Sequence, residues 1–435
     1  MIVYKRFKIH NIQRFVESAI TNLQHFEQVM VLNSNSQLYE TTNYDFLIAA
    51  GSTDQIEIKD DEKENFSKLQ DFYNAKPDWI FGHISYDMKN NIEKISTQHP
   101  NDIGFSKLFF FRPKILLISN KNQVEIHLHD NFSPQDQTFA ENLEVEQKIN
   151  SEETQTFESF KITITNRISK ERYFAGYKKI QHHIQQGNIY EANYCQEFFA
   201  KTMIQNPDKV YIKLNTISPA PFSAYYRNED RFLMCASPER YLTKKGNKII
   251  SQPIKGTTRR GLTVDEDRQR KESLINSSKE KAENVMIVDL VRNDLSRTAE
   301  RGSVSVDELF GIYSFPQVHQ MISTVSSRLK EGFSIFDVLK TTFPMGSMTG
   351  APKISAMKII DETEAMARGL YSGTVGYISP EGNADFNVII RSIQYNQSRN
   401  LLSFITGGAI TIQSNAEDEY EECFVKANGL FKALE

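Results

Sequence analysis

The sequence predicts an α+β fold, in which a sheet-rich N-terminal part precedes a part that mixes helices and strands. The first part contains an apolar run at 115–118 and a clean alternation of apolar and polar residues at 124–128, both typical of strands. Apolar residues at helical spacing occur in the second part. No repeat of the length found in solenoid proteins is present, so a repeat architecture is not expected.

The first helix of the second part is expected to begin after Ser169, a good N-cap, and to stop at Gly187. Between them, apolar residues recur at helical spacing at Tyr173, Tyr177, Ile180 and Ile184. The glycine after this run is a common helix stop because it tolerates the left-handed conformation.

Two further helices are expected. One begins near Ser278 and continues through Glu283 to Leu290, and a long amphipathic one covers Ala416–Leu434 with Asn415 as its N-cap. The segments between the helices that have strand-like composition are 374–379, 386–393 and 401–405.

A soft domain boundary is expected near residue 155. Residues 130–160 are rich in Asn, Gln, Glu, Ser and Thr and poor in large aliphatic side chains, which suits a solvated connector better than a core element. We therefore expect a sheet-rich N-terminal region over 1–155 and a second domain over 156–435.

Composition narrows the functional classes. Hydrophobic residues make up 39% and charged residues 24%, so the chain can bury a large core. The formal net charge is −4 and no long basic run is present, so nucleic acid is not an expected partner. No apolar stretch resembles a signal peptide or a membrane span. The three cysteines lie far apart, which is typical of reduced thiols in a cytoplasmic protein.

Common catalytic motifs do not account for the chemistry of this chain. It has no Walker loop, Rossmann glycine pattern, Gly-x-Ser-x-Gly elbow or zinc-binding helix motif. Lys255, however, lies between Ile254 and Gly256, where loss of hydration would lower its pKa and yield a neutral, nucleophilic amine. From spacing alone, a solvated lysine in a surface turn explains the same residues.

Acidic residues on two predicted helices are candidates for a metal site. Glu283 lies on one helix and Glu422 on the last one. Mg²⁺ takes few carboxylates and completes its shell with water and an anionic substrate. Glu422 and Lys426 are four residues apart, which is also the spacing of an ordinary ion pair on a helix surface. The spacing is compatible with a magnesium site and with an ordinary surface ion pair.

The segment 343–353 is a candidate anion-binding loop. It has two small hydroxyl residues among glycines and leads into an expected helix over 354–361. Exposed backbone N–H groups at a helix start favour anions, including carboxylates. A structural turn with Pro352 near the first helical position is the alternative. Tyr371 and Arg391 are grouped with this loop, because an arginine fork suits a carboxylate.

Taken in order, these segments resemble the chorismate-utilising enzymes, a family that includes anthranilate, aminodeoxychorismate, isochorismate and salicylate synthases. The match is dense over 165–435 and weaker before it, where it depends on GHISYD at 82–87. The segments that carry it are GNIYEAN at 187–193, IVDLVRNDL at 287–295, GSMTGAPK at 346–353, GTVGY at 373–377 and EYEE at 419–422. The resemblance implies a large β-sandwich core of two sheets flanked by helices.

The resemblance also implies a magnesium ion between Glu283 and Glu422. The ion is expected to bridge to the ring carboxylate of chorismate, with Lys426 near that carboxylate. The residues expected to line the ring are Gly256, His319 and Ser347.

The second carboxylate of chorismate, on its enolpyruvyl group, is expected to contact Tyr371 and Arg391. Backbone N–H groups of Gly407 and Gly408, in a turn at 406–409, are expected to assist them. These roles are implied by the resemblance.

One position separates the branches of this family, because aminodeoxychorismate synthases carry a lysine where anthranilate synthases carry an alanine. Here the residue is Lys255. The resemblance implies that its neutral amine attacks C2 of the ring while Glu239 protonates the leaving 4-hydroxyl, after which ammonia enters at C4 and expels the lysine. Glu239 then needs a raised pKa. Isochorismate and salicylate synthases carry a lysine base at the position of Glu191, so water activation by that route is not expected.

Amination of chorismate at C4, which begins the 4-aminobenzoate branch of folate synthesis, is therefore the expected function. The chain has no glutaminase motif, so a separate glutamine amidotransferase subunit is expected to deliver the ammonia. Two alternatives stay open. One is an anthranilate synthase with an atypical lysine, and the other is a catalytically silent chorismate-binding regulator.

Overall fold

The computed structural model describes residues 1–37, 44–59, 65–93, 95–97, 99–130, 132–149 and 162–435. Within these residues the chain forms eleven α-helices and twenty strands. The helices are α1 (Ile12–Asn22), α2 (Asn65–Ala75), α3 (Lys89–Glu93), α4 (Pro134–Ile149), α5 (Lys170–Gln185), α6 (Pro207–Ile217), α7 (Val264–Asn276), α8 (Ser278–Ser296), α9 (Ile335–Thr342), α10 (Lys353–Thr363) and α11 (Ala416–Leu434). Short 3-10 helices lie at Tyr86–Met88 and Gly346–Met348.

The strands are β1 (Ile2–Lys8), β2 (Gln28–Asn33), β3 (Phe46–Ile58), β4 (Ile80–Ile84), β5 (Leu108–Asn120), β6 (Gln123–Leu128), β7 (Thr165–Asn166), β8 (Glu191–Lys201), β9 (Phe222–Asn228), β10 (Arg231–Ser237), β11 (Arg240–Lys245), β12 (Lys248–Gln252), β13 (Ile254–Arg259), β14 (Ser305–Ser314), β15 (Val318–Arg328), β16 (Gly350–Ala351), β17 (Thr374–Ile378), β18 (Ala384–Asn387), β19 (Ser392–Asn396) and β20 (Leu401–Thr411). The strands pair antiparallel to one another.

Two arms of the sheet diverge from β5. One edge of β5 pairs with β3, and from there the first arm continues through β2, β9, β10, β19, β20 and β8. The other edge pairs with β4, and the second arm continues through β17, β18, β11, β12 and β15. The two sheets that were expected are therefore two arms of one hydrogen-bonded network.

The arms pack face to face. Met30 and Leu47 of the first arm share a buried apolar cluster with Phe81 and Val375 of the second. Helices α1, α6 and α11 cover the outer face of the first arm, and α2, α8 and α9 cover that of the second. Each fully buried large apolar side chain contributes about 1.5–3 kcal/mol. The expected α+β fold, a β-sandwich flanked by helices, is confirmed.

The helix boundaries follow the predicted caps. The Ser169 side chain accepts a hydrogen bond from the third residue of α5, and Gly187 follows the helix with a φ of +75°. Asn415 caps α11, whose first turn is acidic and so complements the helix dipole. Helix α8 begins as predicted and continues past Leu290 to Ser296. Among the described helices, none is both long and apolar enough to cross a membrane.

One predicted strand is wrong. The apolar run at 386–393 is interrupted, because the chain leaves β18 after Asn387 and resumes a strand only at Ser392. Most of the intervening backbone bonds to residues outside strands, and the N–H of Val388 donates to the carbonyl of Glu239 at 3.0 Å. Among these backbone–backbone bonds, only the carbonyl of Arg391 accepts from a strand residue, the N–H of Ala236 in β10. A buried apolar run alone does not reveal which partner its backbone groups find.

The predicted connector at 130–160 is wrong over its first half. Residues 134–149 form α4, and its Ala140 and Leu143 are buried in the core. The carboxylate of Asp136 accepts hydrogen bonds from the backbone and hydroxyl of Ser133, as in a capping box. The predicted boundary near 155 lies outside the described residues. On either side of it, β2 pairs with β9 and β4 with β17.

Candidate active site

Lys255 lies on β13 with its side chain only 11% exposed, so the amine does not extend into bulk water. Its Nζ atom lies 3.8 Å from Oε1 of Glu191, the first residue of β8. Burial acts to lower the pKa of Lys255, but the carboxylates of Glu191, Glu283, Glu239 and Glu280 together raise it above its ordinary value. The expectation that dehydration alone yields a neutral amine is therefore wrong, because the surrounding acids outweigh it.

Glu239 lies between β10 and β11 and is buried. Burial raises the pKa of Glu239 to about 7, although a hydrogen bond with the Ser347 hydroxyl and the charge of Lys255 act to lower it. Its backbone is fixed by a hydrogen bond from its N–H to Oγ of Ser237 at 3.2 Å. Glu239 thus has the raised pKa that a proton donor needs, and it contacts the Ser347 hydroxyl.

Four glutamates on α8 and α11 surround one lysine. Each helix carries two of them three residues apart, Glu280 and Glu283 on α8 and Glu419 and Glu422 on α11. Lys279 Nζ lies 4.0 Å from Oε1 of Glu283 and 3.9 Å from Oε1 of Glu419. A single ammonium group thus links carboxylates of both helices. The two helices bring Glu283 and Glu422, the predicted metal ligands, into one acidic cluster.

This acidic cluster suits a hard divalent ion. Among the described residues, Oε1 of Glu283 is buried without a hydrogen-bond partner. Burial raises the pKa of Glu280 and of Glu419, and a neighbouring carboxylate raises each further. Carboxylate oxygens are among the ligands that Mg²⁺ prefers. Glu283 and Glu422 could hold such an ion, with Glu280 and Glu419 beside them.

In the described part of the chain, no three acidic, histidine or cysteine side chains already converge on one point. Mg²⁺ keeps several waters and is commonly bound by one or two carboxylates plus a substrate anion. The arrangement of the cluster therefore fits an ion that shares its ligands with water and substrate rather than one enclosed by protein.

Lys426 connects α11 to β20. Its Nζ atom donates to the carbonyl of Gly407 at 2.7 Å and lies 2.5 Å from Oε1 of Glu422. Burial acts to raise the pKa of Glu422, but the ammonium of Lys426 holds it below its usual value. The Arg391 side chain donates to the carbonyl of Lys426 at 3.2 Å. The predicted helical ion pair exists, and it lies next to Arg391 with both of its side chains partly exposed.

Residues 406–409 do not form the expected turn, because they lie within β20. Lys426 bonds to the carbonyl of Gly407, which therefore faces away from β8. In an antiparallel strand the N–H and C=O of one residue point to the same side, so the N–H of Gly407 faces this side as well. A Cβ atom on Gly408 would lie 2.8 Å from Oε2 of Glu419. Glycine at 408 permits this close approach of carboxylate to backbone.

Arg391 has a left-handed backbone conformation, with a φ of +51°. Such a conformation costs about 1–3 kcal/mol in a residue other than glycine and is frequent at functional sites. Burial lowers the pKa of Arg391, and Tyr371 and Glu422 partly oppose this effect. Tyr371 is itself buried. The structure thus brings Tyr371, Arg391, Gly407 and Lys426 to one location.

A cleft has Arg391 and Lys426 in its wall. Pro238 and Thr257, which also line it, are the sequence neighbours of Glu239 and Gly256. The cleft therefore extends from the cationic side chains towards the strand that carries Lys255.

Gly256 and His319, both predicted to line the ring, lie in different surroundings. Gly256 has a φ of +92°, and a Cβ there would lie 3.0 Å from Oε2 of Glu280, so it lies beside the acidic cluster. His319 lies on β15, where it pairs with Thr258 of β13, and its ring nitrogens contact Oδ1 of Asp267 at 3.0 Å and Oγ of Ser314 at 2.8 Å. His319 is not brought to the Lys255 cluster.

Sequence reasoning missed Arg368, which links the 3-10 helix Gly346–Met348 to β8 through hydrogen bonds. Its guanidinium donates to the carbonyls of Met348 and Asn193, each at 2.7 Å, and pairs with Glu364. It also missed Glu280 and Lys279. The shared three-residue spacing of glutamates on α8 and α11 is a signal that could have identified Glu280. The sequence offers no comparable signal for Arg368.

The chain matches a family model described as chorismate binding enzyme over residues 27–432. Aminodeoxychorismate synthase component 1 of Escherichia coli (strain K12) is 40% identical over 270 residues, which are 62% of this chain and 59% of the relative. The chain thus spans less than two thirds of that relative. Anthranilate synthase component 1 of Aquifex aeolicus (strain VF5) is 32% identical over 379 residues, 82% of this chain and 74% of the relative.

The fold has a close counterpart among solved structures. The crystal structure of anthranilate synthase component I from Streptococcus pneumoniae TIGR4 aligns with 90% of this chain and 93% of its own, with a TM-score of 0.76 and 24% identity. This likeness establishes the shared fold. Together with the match over 27–432, it leads to one conclusion: the chain belongs to the chorismate binding enzyme family.

Proposed function

We propose that this protein aminates chorismate at C4 to give 4-amino-4-deoxychorismate. The observation that carries the proposal is the pair formed by a buried amine, Lys255, and a buried acid, Glu239, whose pKa is raised to about 7. The 40% identity to a relative named aminodeoxychorismate synthase component 1 supports the same activity. The product would enter the 4-aminobenzoate branch of folate synthesis.

In the proposed mechanism the neutral form of Lys255 attacks C2 of the ring. The double bonds shift, and the C4 hydroxyl leaves as water with the proton of Glu239. Ammonia then forms a bond to C4, the double bonds shift back, and the lysine leaves as a neutral amine. The covalent intermediate divides one difficult displacement into two easier ones. The burial of Glu239 supports its role, because a donor with a pKa near the operating pH transfers its proton efficiently.

The cationic side of the cleft would bind the two carboxylates of the substrate. Arg391 and Tyr371, with the N–H of Gly407, are proposed to hold the enolpyruvyl carboxylate, and Lys426 the ring carboxylate. Mg²⁺, held by Glu283 and Glu422, would offset the negative charge of the ring carboxylate among the glutamates when bound. Gly256, Gly408, Ser347 and His319 are proposed as lining residues, although the contacts of His319 give it less support than the others.

Ammonia is proposed to come from a separate glutamine amidotransferase subunit. The relative named component 1 supports this proposal, since the name implies a second component. The proposed location is the cytoplasm, which the three buried free thiols support.

Anthranilate synthase activity is the second candidate, favoured by the 32% identity to the relative from Aquifex aeolicus. The test is to incubate the purified protein with chorismate, an ammonium salt and Mg²⁺ and to separate the products by chromatography. Formation of 4-amino-4-deoxychorismate is expected. Anthranilate as the sole product would support the second candidate, and chorismate binding without turnover would support a silent regulator. Addition of glutamine and a glutaminase subunit in place of ammonium tests the partner.

A further inference from the structure

We propose that Glu191 is a catalytic residue that removes the proton from the Lys255 ammonium before the amine attacks the substrate. The inference depends on the proposed function, which requires a neutral amine at Lys255. An ammonium has no lone pair and cannot form the bond to carbon. Since the carboxylates around Lys255 favour its charged form, the site needs a group that accepts this proton.

Glu191 is the nearest such group. Its Oε1 atom lies 3.8 Å from Lys255 Nζ. Among the described residues, no other carboxylate lies within ion-pair distance of this amine. The separation is longer than a hydrogen bond, but catalytic contacts are commonly loose without substrate and tighten in the complex. A residue that accepts a proton must come within hydrogen-bond distance of its donor, so the proposal requires this contact to shorten when the substrate binds.

The position of Glu191 is fixed by its backbone. It is the first residue of β8, and it pairs with Thr411 of β20 on one side and Ala351 of β16 on the other. The residue is only 1% exposed. A base built on a strand between two others is held more precisely than one on a loop.

The other carboxylate oxygen of Glu191 is free to take a proton. Oε2 is buried and lacks a hydrogen-bond partner among the described residues. Burial raises the pKa of Glu191, and the charge of Lys255 acts to lower it. The charge of Glu283 acts to raise it as well, and the net effect is a pKa above the ordinary value. A carboxylate in this state accepts a proton more readily than a solvated glutamate does.

The other carboxylates that face Lys255 have different proposed tasks. Glu239 must hold its proton for the leaving hydroxyl. Glu283 is proposed to hold the metal ion, and Glu280 lies beside it on α8. Glu191 has no other role in the proposed mechanism. It can therefore accept the proton of Lys255 without interfering with proton donation by Glu239 or metal binding by Glu283.

The proton balance closes over one turnover. The proton of Lys255 passes to Glu191, giving a neutral amine and a neutral acid. The amine bonds to C2 while the hydroxyl leaves with the proton of Glu239, and the adduct carries a secondary ammonium. Attack of ammonia at C4 breaks the bond from carbon to lysine, which releases a neutral amine that takes its proton back from Glu191. Glu239 is reprotonated from solvent.

The test compares Glu191→Gln with the wild type in steady-state amination with ammonium. The variant keeps the shape of the side chain but does not accept the proton. We expect kcat at about pH 7 to fall by about 10²-fold, the usual contribution of a positioned base, with little change in KM for chorismate. The ratio of variant to wild-type kcat should rise with pH, because solvent then deprotonates Lys255 directly.

A purely electrostatic role makes the opposite prediction. Removing the charge at Glu191 lowers the pKa of Lys255 and increases its neutral fraction, so an unchanged or higher kcat in Glu191→Gln would overturn the proposal. A pH-independent ratio would overturn it too. If the wild type forms no 4-amino-4-deoxychorismate, the proposed function itself fails, which is a different result.

Two further variants keep the test decisive. Glu191→Asp retains a base at a greater distance, so we expect a smaller loss of kcat and a ratio to wild type that does not vary with pH. A loss equal to that of glutamine would contradict the proposal. Glu197→Gln is the matched control, because Glu197 is a buried glutamate on the same strand, paired with Arg167 at 2.7 Å. It should keep the wild-type kcat per folded molecule, and circular dichroism checks the fold of each variant.

Discussion

Arg368 and Glu364 form a buried ion pair, with 2.6 Å between Nη2 and Oε1, that connects two parts of the candidate active site. The guanidinium bonds to Met348 in the 3-10 helix and to Asn193 of β8, and Oε1 of Glu364 accepts from the N–H of Cys195 at 2.9 Å. The pair therefore fixes the position of the 3-10 helix, whose Ser347 contacts Glu239, relative to β8, whose first residue Glu191 lies next to Lys255.

Replacing Arg368 with methionine should destabilise the protein strongly. Both members of the pair are almost completely buried, and removing one partner leaves an uncompensated charge, at a cost of about 3–5 kcal/mol. Denaturant unfolding measures the change in the free energy of unfolding. Arg292→Ala is the control, because its pair with Asp289 is exposed and should matter by less than about 1 kcal/mol. Similar losses in the two variants would contradict the structural role.

The pH dependence of kcat/KM should report Glu239. This residue acts in its protonated form, which is lost as pH rises through the pKa of about 7. We expect kcat/KM for C4 amination to decline tenfold per pH unit above that value, measured at constant free ammonia. Glu239→Gln should have low activity without this decline. A wild-type profile that stays flat from about pH 6 to 9 would exclude Glu239 as the acid.

Metal binding should depend on both helices of the acidic cluster. Glu283→Gln and Glu422→Gln each remove one carboxylate that could hold Mg²⁺, so calorimetric titration should show weaker Mg²⁺ binding by at least about tenfold. Glu421→Gln is the matched control, because Glu421 is the exposed neighbour of Glu422. Equal effects of the three substitutions would show that only net charge matters. Removal of divalent ions by a chelator should also abolish amination.

Much of the fold is predictable because local signals agree with the final structure. Ser169 and Asn415 cap the helices that they were expected to cap. The apolar run at 115–118 forms a buried strand, and the strand at 124–128 alternates as its sequence indicates. The failures occur where tertiary contacts decide. The amphipathic face of α4 is weak in sequence, and the break after Asn387 depends on a backbone hydrogen bond to a distant residue.

The sequence predicted which residues gather at the site better than it predicted how their charges shift one another's pKa values. Lys255, Glu239, Glu283 and Glu422 do gather, but their mutual influence is a property of the fold that spacing does not reveal. Lys255 shows this clearly. Its position between an isoleucine and a glycine suggests dehydration and a lowered pKa, whereas four glutamates brought near it by the fold raise its pKa instead. The arrangement of residues 406–409 in a strand was also hidden, since glycines suggest turns.

Substitution of Lys255 should change the product as well as the rate. Lys255→Ala removes the proposed nucleophile, so we expect the loss of more than about 99% of 4-amino-4-deoxychorismate formation. Products are separated by chromatography, and a residual formation of anthranilate would assign branch selection to this residue. Lys248→Ala is the control, because Lys248 is largely exposed on the neighbouring β12 and should leave the product unchanged. Full synthesis of 4-amino-4-deoxychorismate by Lys255→Ala would remove the covalent role.

The most direct measurement is the mass of the protein after incubation with chorismate and Mg²⁺ in the absence of ammonia. Without the second nucleophile, the intermediate should accumulate, and peptide mass spectrometry after rapid quenching should locate a chorismate-derived group, less one water, on Lys255. Addition of ammonium should discharge it and release 4-amino-4-deoxychorismate. An unmodified Lys255 in a protein that aminates chorismate, or a modification at another residue that ammonium discharges, would contradict the proposed chemistry.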